Sequence, residues 1–426
     1  MAPIYTMCNL AVDQNQLTME TMKRVATRHG LVCLLHEKPY AGVNGSGKHN
    51  NWSIGTDTGE NLLDPGDTPN ENLQFLLVLS CIMKAVDTHA DLLRQSASCV
   101  GNDQRLGGQE APPAIISIFL GDQLESVVDQ IISNAESVKL LASGKLDSGV
   151  STVPVLNKDA TDRNRTTPFA FTGNKFEFRM VGSSDSIADA NTTLNAIVAE
   201  ALCEAADQLE RADDFNAACT KLIHDNMAQH QRIIFNGDGY SDEWVAEAAR
   251  RGLPNLASLV DAVPALTTEK AVKLFTKFGI YTQSELEARA DIMYETYVKT
   301  IKIEANTMIH MAAKHYIPTV IGYTTRLAQS ITAVASACPE AELSVQRGLL
   351  KDVSARLAEA SAALEQLKPL MDRVDAIQDV KEMAIAYRTA VVPAMDALRY
   401  PIDQLELMVD KSIWPVPTYG DLMFEV

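Results

Sequence analysis

The chain has 426 residues, 46% hydrophobic and 22% charged, a composition that excludes a disordered or collagen-like protein and allows about two to three packed domains. Against 37 Lys and Arg stand 55 Asp and Glu, a formal net charge of −18; such a surface repels phosphate backbones and anionic lipid, which argues against a nucleic-acid or membrane-surface role. Seven cysteines with no C-x-x-C pair give neither a disulfide framework nor a zinc ribbon and point to a reduced, intracellular protein.

The opening MAPIYTMCNLAVDQ lacks the basic and apolar regions of a secretory signal. Residues 13–29 place Leu17, Met22 and Val25 at helical spacing and close on Gly30, so an amphipathic helix is expected. LVCLL (31–35), bounded by Gly30 and Pro39, reads as a buried strand. Residues 37–53 form a loop rich in Gly, Asn and Lys. A long helix is predicted over 70–95; its apolar run from Phe75 to Val86 is too short to span a bilayer and reads as buried. Another helix is predicted within 120–141. The polar stretch 143–175 reads as extended loop, and FEFRMV (176–181) alternates as a strand does. From Ser184 strand signals nearly vanish and helical periodicity runs to about Arg399, punctuated by Pro254, Pro264 and Pro318. Residues 346–378 have the pattern of a long amphipathic hairpin arm, and no fixed-period repeat is present.

GVNGSGKH (42–49) nearly fits the phosphate-loop pattern G-x-x-x-x-G-K-[ST], but His49 stands where a hydroxyl would ligate Mg²⁺, and HNNWSI is a poor helix start. A flexible surface turn explains the glycines but not the crowding of Asn44, Lys48, His49 and Asn51. A third reading has the glycines admitting an anionic substrate to the backbone amides, while a neutral His49 ligates a divalent metal. NDQRLGGQEAPPAI (102–115) sets Arg105 five residues before Glu110, and DRNRTTP (162–168) sets Arg163 and Arg165 two apart. Each alone is what a charged surface loop contains. In NKFEFRMV (174–181) a strand would put Glu177 and Arg179 on one face and Phe176 and Phe178 on the other, as any amphipathic strand does. The remaining histidines form no H-E-x-x-H pattern, and the methionines of the second half read as core filler.

HEKPYAGVNGSGKHNNWS (36–53) resembles the metal- and glutamate-binding loop of glutamine synthetase, most closely of the large type III class, and the arginine and glutamate motifs follow in that family's order. The resemblance is specific over 1–200 and looser beyond. It implies an α+β fold: a partial catalytic domain over 1–200, built on an antiparallel-type sheet with helices, then a large helical C-terminal region over 201–426. By resemblance, Asn44, Gly45 and Arg105 hold the substrate glutamate, and Arg179 the substrate or phosphate. His49 and Glu177 bind metal. Glu110 is the flap carboxylate that attracts ammonium and takes its proton, and Arg165 faces the transferring phosphoryl group. Tyr5, Asn51, Ser53 and Lys175 lie near the nucleotide. Two departures stand out: Ala170 lies near the place of a second arginine, and Asn51 replaces a histidine of other classes.

The implied activity is glutamate–ammonia ligation in glutamine biosynthesis, through a γ-glutamyl phosphate made at the expense of ATP. Each step gathers negative charge, so Mg²⁺ (or Mn²⁺) and several arginines are expected at the site. The partners implied are glutamate, ammonia and ATP in a cytoplasmic homo-oligomer (a dodecamer of stacked hexameric rings in relatives), with no nucleic acid and no membrane. In the family, further metal-binding glutamates and a β-domain precede the segment resembling MAPIY. The expectation is therefore a C-terminal portion, inactive or severely impaired alone. Two other readings remain: a non-catalytic helical interaction or assembly protein with a vestigial site, and a phosphate-loop phosphotransferase. The latter requires a strand running into 42–47 and a helix from Lys48.

Overall fold

The computed structural model describes residues 6–39, 42–108, 111–133, 145–146, 156–157, 166–418 and 421. The first helix, α1 (Cys8–Arg28), stops just before Gly30, whose φ of 71° ends it. The buried strand expected at 31–35 does not form: Leu31, Val32, Leu34 and Leu35 are exposed and belong to no ladder. An apolar run becomes a strand only where a neighbouring strand pairs with it, and among the described residues none does; the Leu31 N–H instead donates to the Ala26 C=O at 2.9 Å, closing the end of α1.

After β1 (Asn50–Trp52) comes α2 (Leu73–Thr88), started by the Asn72 side chain accepting from the Phe75 N–H at 3.0 Å. Phe75, Leu79, Ile82, Met83 and Val86 are all buried on it. The single helix expected over 70–95 is two, because the chain breaks at His89 (ψ 28°) before α3 (Ala90–Gln95). Then follow α4 (Val100–Arg105), β2 (Ile118–Phe119) and α5 (Asp122–Ile132), the last lying in the window expected for a helix. Within the stretch read as extended loop, β3 (Lys145–Leu146) and β4 (Leu156–Asn157) pair antiparallel, and β5 (Phe169–Phe171) begins before it ends. The alternating FEF of β6 (Phe176–Phe178) is a strand, as expected.

The principal sheet has the order β1-β6-β5-β2, antiparallel except at the β2/β5 edge. Its register explains the site. Phe178 pairs with Asn50 and Phe169, and Phe176 with Trp52 and Phe171, so these six side chains share one face. On that face Phe169 and Phe176 stack at 4.4 Å, and Phe171 meets Phe75 of α2 at 5.9 Å. Asn50 and Trp52 donate to Asn191 (2.6 Å) and Asn195 (2.8 Å) of α6 (Ala188–Leu209). Glu177 pairs with Asn51 and Ala170, and this row occupies the opposite face. With four buried Phe on one side, burial fixes which face is left for polar chemistry.

The helical remainder comprises α7 (Phe215–His230), α8 (Asp242–Arg250), α9 (Leu259–Ala262), α10 (Glu269–Lys277), α11 (Gln283–Met311), α12 (Ile317–Ala337), α13 (Ser344–Asp375), α14 (Val380–Ala386) and α15 (Val392–Met408). The chain divides into two compact units, Leu34–Ala290 and Met1–Cys33 with Asp291–Val426. The first contains the sheet. In the second, α13 buries Val353, Ala360, Leu364, Leu367, Met371 and Val374, and its partner α15 buries Met395, Leu398, Ile402 and Leu405. Steps of three, four and seven place each set on one stripe, the pattern of a helix–helix seam. The two π turns, Ala312–Tyr316 and Tyr387–Val391, each end two residues before a proline, Pro318 and Pro393. A wide turn there accommodates a ring that would collide with the carbonyl four residues back. No described helix is long and apolar enough to cross a membrane.

Candidate active site

The glycine loop is held from below. The Ser46 N–H donates to the Glu37 C=O at 2.7 Å, the Lys48 N–H donates to the Val181 C=O at 2.9 Å, and Gly47 bridges to Gly182. Lys48 Nζ also donates to the Asp185 C=O. Among the described residues no strand runs into 42–47, and the residues after Lys48 enter β1 rather than a helix. That removes the phosphate-loop reading.

Under this loop lies Arg105, at the end of α4 and only 3% exposed. Its Nη1 donates to Asn102 Oδ1 (2.9 Å) and the Met180 C=O (2.8 Å), and its Nη2 donates to the Arg179 C=O (3.1 Å). Its Nε has no partner among the described residues. Burial holds this guanidinium below its ordinary range. The loop is glycine-rich because the arginine is so close: a Cβ on Gly45 would lie 2.7 Å from Arg105 Cγ, and one on Gly47 would fall on the guanidinium itself. The structure thus brings Arg105 against Gly45, with both of its Nη groups engaged by acceptors of its own chain.

One strand step away, β6 projects Glu177 from the polar face. Glu177 Oε2 accepts from Arg179 Nε (3.1 Å) and Nη2 (2.9 Å), and it lies 3.8 Å from His49 Nδ1. Glu177 and Arg179 are largely covered, whereas the His49 side chain is 62% exposed. His49 and Glu177, 128 positions apart in the chain, therefore meet because β1 and β6 are antiparallel neighbours. Asn51 sits directly across from Glu177.

Toward the other end of β6, Ser53 Oγ donates to Asn61 Oδ1 at 2.7 Å, and Asn61 Nδ2 donates to the Asn174 C=O at 2.8 Å. Lys175 stands in the turn between β5 and β6, its C=O accepting from the Thr172 N–H at 2.8 Å. From Lys175 to Arg179 is about 13 Å at 3.3 Å per strand residue. The sequence candidates Ser53 and Lys175 thus sit at one end of this line, Asn51, His49 and Glu177 in the middle, and Asn44, Gly45, Arg105 and Arg179 at the other. Tyr5, Glu110 and Arg165 lie outside the described residues.

Two cis ligands of an octahedral ion at about 2.1 Å stand about 3 Å apart, so the 3.8 Å between His49 and Glu177 needs little closure to share one cation. An imidazole and a carboxylate suit Mn²⁺ or Mg²⁺ as part of a shell. No group of three or more potential ligands exists among the described residues. Reading motifs alone missed Glu37 and Asn102, which support the loop and the arginine; Glu37 was visible only as a letter in HEKP.

Comparison with known proteins bears on the family of the chain. Residues 5–99 match the family model described as glutamine synthetase, catalytic domain, and residues 218–335 match the glutamine synthetase C-terminal domain. The chain is 43% identical over 430 residues to a type-3 glutamine synthetase of Dictyostelium discoideum, covering 99% of this chain and 58% of that protein. It is 41% identical over 438 residues to a glutamine synthetase of Butyrivibrio fibrisolvens, covering 100% of this chain and 61% of that protein. It is 40% identical over 434 residues to one of Bacteroides fragilis (strain YCH46), covering 100% and 60%. The chain thus spans about three fifths of the length of the curated relatives it matches. Two family matches and near-complete coverage of this chain by three such relatives lead to one assignment: it belongs to the glutamine synthetase family.

Proposed function

We propose that the chain carries the glutamate, nucleotide and metal subsites of a glutamate–ammonia ligase that makes glutamine through a γ-glutamyl phosphate, with ATP as co-substrate. The observation that carries this reading is the meeting of His49, Glu177 and Arg179 on the face of the sheet opposite the four phenylalanines, beside the loop that covers Arg105. His49 and Glu177 would hold Mg²⁺ or Mn²⁺, which when bound neutralises phosphate charge. Arg179 braces Glu177 and offers its cation to the phosphoryl end of the substrate. Lys175 and Ser53, with Asn51, would take the nucleotide, and Tyr5 its base. Asn44, Gly45 and Arg105 would orient glutamate. Arg165 would spread donors over the transferring phosphoryl group, and Glu110 would accept a proton from ammonium. We assign this catalytic role to residues 1–200 and a role in homo-oligomer assembly to 201–426, in a cytoplasmic protein without nucleic-acid or membrane partners.

Among the described residues the two side-chain donors are fewer than the six or so ligands Mg²⁺ prefers, so the chain alone is expected to be severely impaired or inactive. The same scarcity favours the second reading, a non-catalytic assembly protein with a vestigial site. Binding of ATP tested with and without Mn²⁺ separates the two: metal-dependent binding that Arg179→Ala weakens about ten-fold or more supports the ligase subsites. No metal-dependent binding by the chain, at any nucleotide concentration used, favours the vestigial site.

A further inference from the structure

Glu37 is a buried carboxylate to which the proposed chemistry gives no task. It is 5% exposed, and burying a charge is unfavourable unless it is hydrogen-bonded. Its Oε1 accepts from the Ser184 N–H at 2.8 Å and from the Ser184 hydroxyl. Its own C=O accepts from the Ser46 N–H at 2.7 Å. Two close backbone approaches pack it in: a Cβ on Gly182 would lie 3.2 Å from Glu37 Cγ, and one on Gly101 would lie 3.4 Å from Oε2.

Three segments therefore converge on this one residue. Ser46 belongs to the glycine loop that carries Asn44, Gly45 and His49. Ser184 follows the strand that carries Glu177 and Arg179, and Gly101 opens the helix that carries Arg105. Gly47 and Gly182 are bridged next to these contacts. Glu37 also contributes a negative charge near the Arg105 guanidinium.

We propose that Glu37 is a positioning residue of the glutamate subsite. Through Ser46 and Ser184 it sets the distance between the glycine loop and the end of the β6 strand, and so the shape of the space in which Asn44, Gly45 and Arg179 meet the substrate. It touches no substrate itself. The proposal rests on the ligase reading given above. It differs from a general stability role in being local: the His49–Glu177 pair depends on the β1–β6 ladder, which Glu37 does not touch.

The test measures glutamate binding by calorimetry and Mn²⁺ binding by electron spin resonance on the full chain, for wild type, Glu37→Ala and Glu37→Gln. Glutamine at 37 keeps an oxygen acceptor for the Ser184 N–H, whereas alanine does not. The expected result is a loss of glutamate affinity of about ten-fold or more in Glu37→Ala, with Mn²⁺ affinity within about two-fold of wild type. Glu37→Gln should recover most of the glutamate affinity. Equal glutamate affinity in wild type and both variants overturns the proposal while leaving the ligase reading intact. So does a parallel loss of glutamate and Mn²⁺ binding in the folded Glu37→Gln chain, which marks a structural role only. A wild-type chain that binds neither glutamate nor Mn²⁺ overturns the ligase reading, and the role of Glu37 with it.

Discussion

Gly47 has less freedom to change than any neighbour in its loop. Its backbone is not in the left-handed region, so the constraint is space: a methyl group there would overlap the Arg105 guanidinium and come within 3.0 Å of the Val181 C=O. Gly47→Ala must push Arg105 away from the Met180 and Arg179 carbonyls. Loss of those buried charge-assisted bonds is expected to destabilise the unit by about 2 kcal/mol or more, read from urea unfolding; a change under about 0.5 kcal/mol, the range of ordinary surface substitutions, contradicts the packing described. His89 makes a second residue-scale prediction. Burial, then the nearby Lys270 charge, holds its imidazole below the ordinary 6.5, against the opposing pull of Glu200 (Oε2 at 3.5 Å from Nε2) and Asp91. The folded chain thus takes up this proton less readily than the unfolded chain. Stability linked to His89 is present above about pH 6.5 and is lost as pH falls from there through the lower folded value. Glu200 is itself within 3.6 Å of Lys277, which keeps that acid's charge partly engaged. His89→Gln should make the urea midpoint fall less between pH 7 and pH 5 than it does in wild type; an unchanged fall would show that other groups control it.

Among the elements, α2 buries eleven of its sixteen residues, and its start depends on one side chain. Asn72 caps Phe75 and also reaches back to the Asp64 C=O at 3.3 Å. Asn72→Ala is expected to cost about 1 kcal/mol, measured as a shift in chemical unfolding midpoint. How far such elements can be read from residues differs case by case. β6 was legible because two phenylalanines alternate with Glu177 and Arg179, and a one-residue slip would bury the charges. The α13 stripe was legible because its apolar residues repeat at three and four. The break at His89 was not, since neither Gly nor Pro marks it. LVCLL misled for a different reason: its residues suit a strand, but a strand is a property of two segments, and the sequence of one does not name the other. In the site, the spacing of motifs gave the candidates. It could not give the inward turn of Arg105, which depends on backbone carbonyls at 179 and 180 arriving from another part of the chain.

At the scale of the whole molecule, the cations of the site stand out against the chain's formal charge of −18. Arg105, Arg179, Lys48 and Lys175 lie on or beside a single sheet, so any attraction for small anions is local and short-ranged while the general surface repels polyanions. The proposed function depends above all on the pair His49 and Glu177, 3.8 Å apart. The most direct measurement is the broadening of histidine ring signals by Mn²⁺, in the chain labelled with ¹³C at its eight histidines. A cation shared by His49 and Glu177 predicts that the His49 signal broadens first, at sub-stoichiometric Mn²⁺, and that Glu177→Gln abolishes this preference. Equal broadening of exposed histidines, or a His49 response unaltered by Glu177→Gln, contradicts a shared metal site.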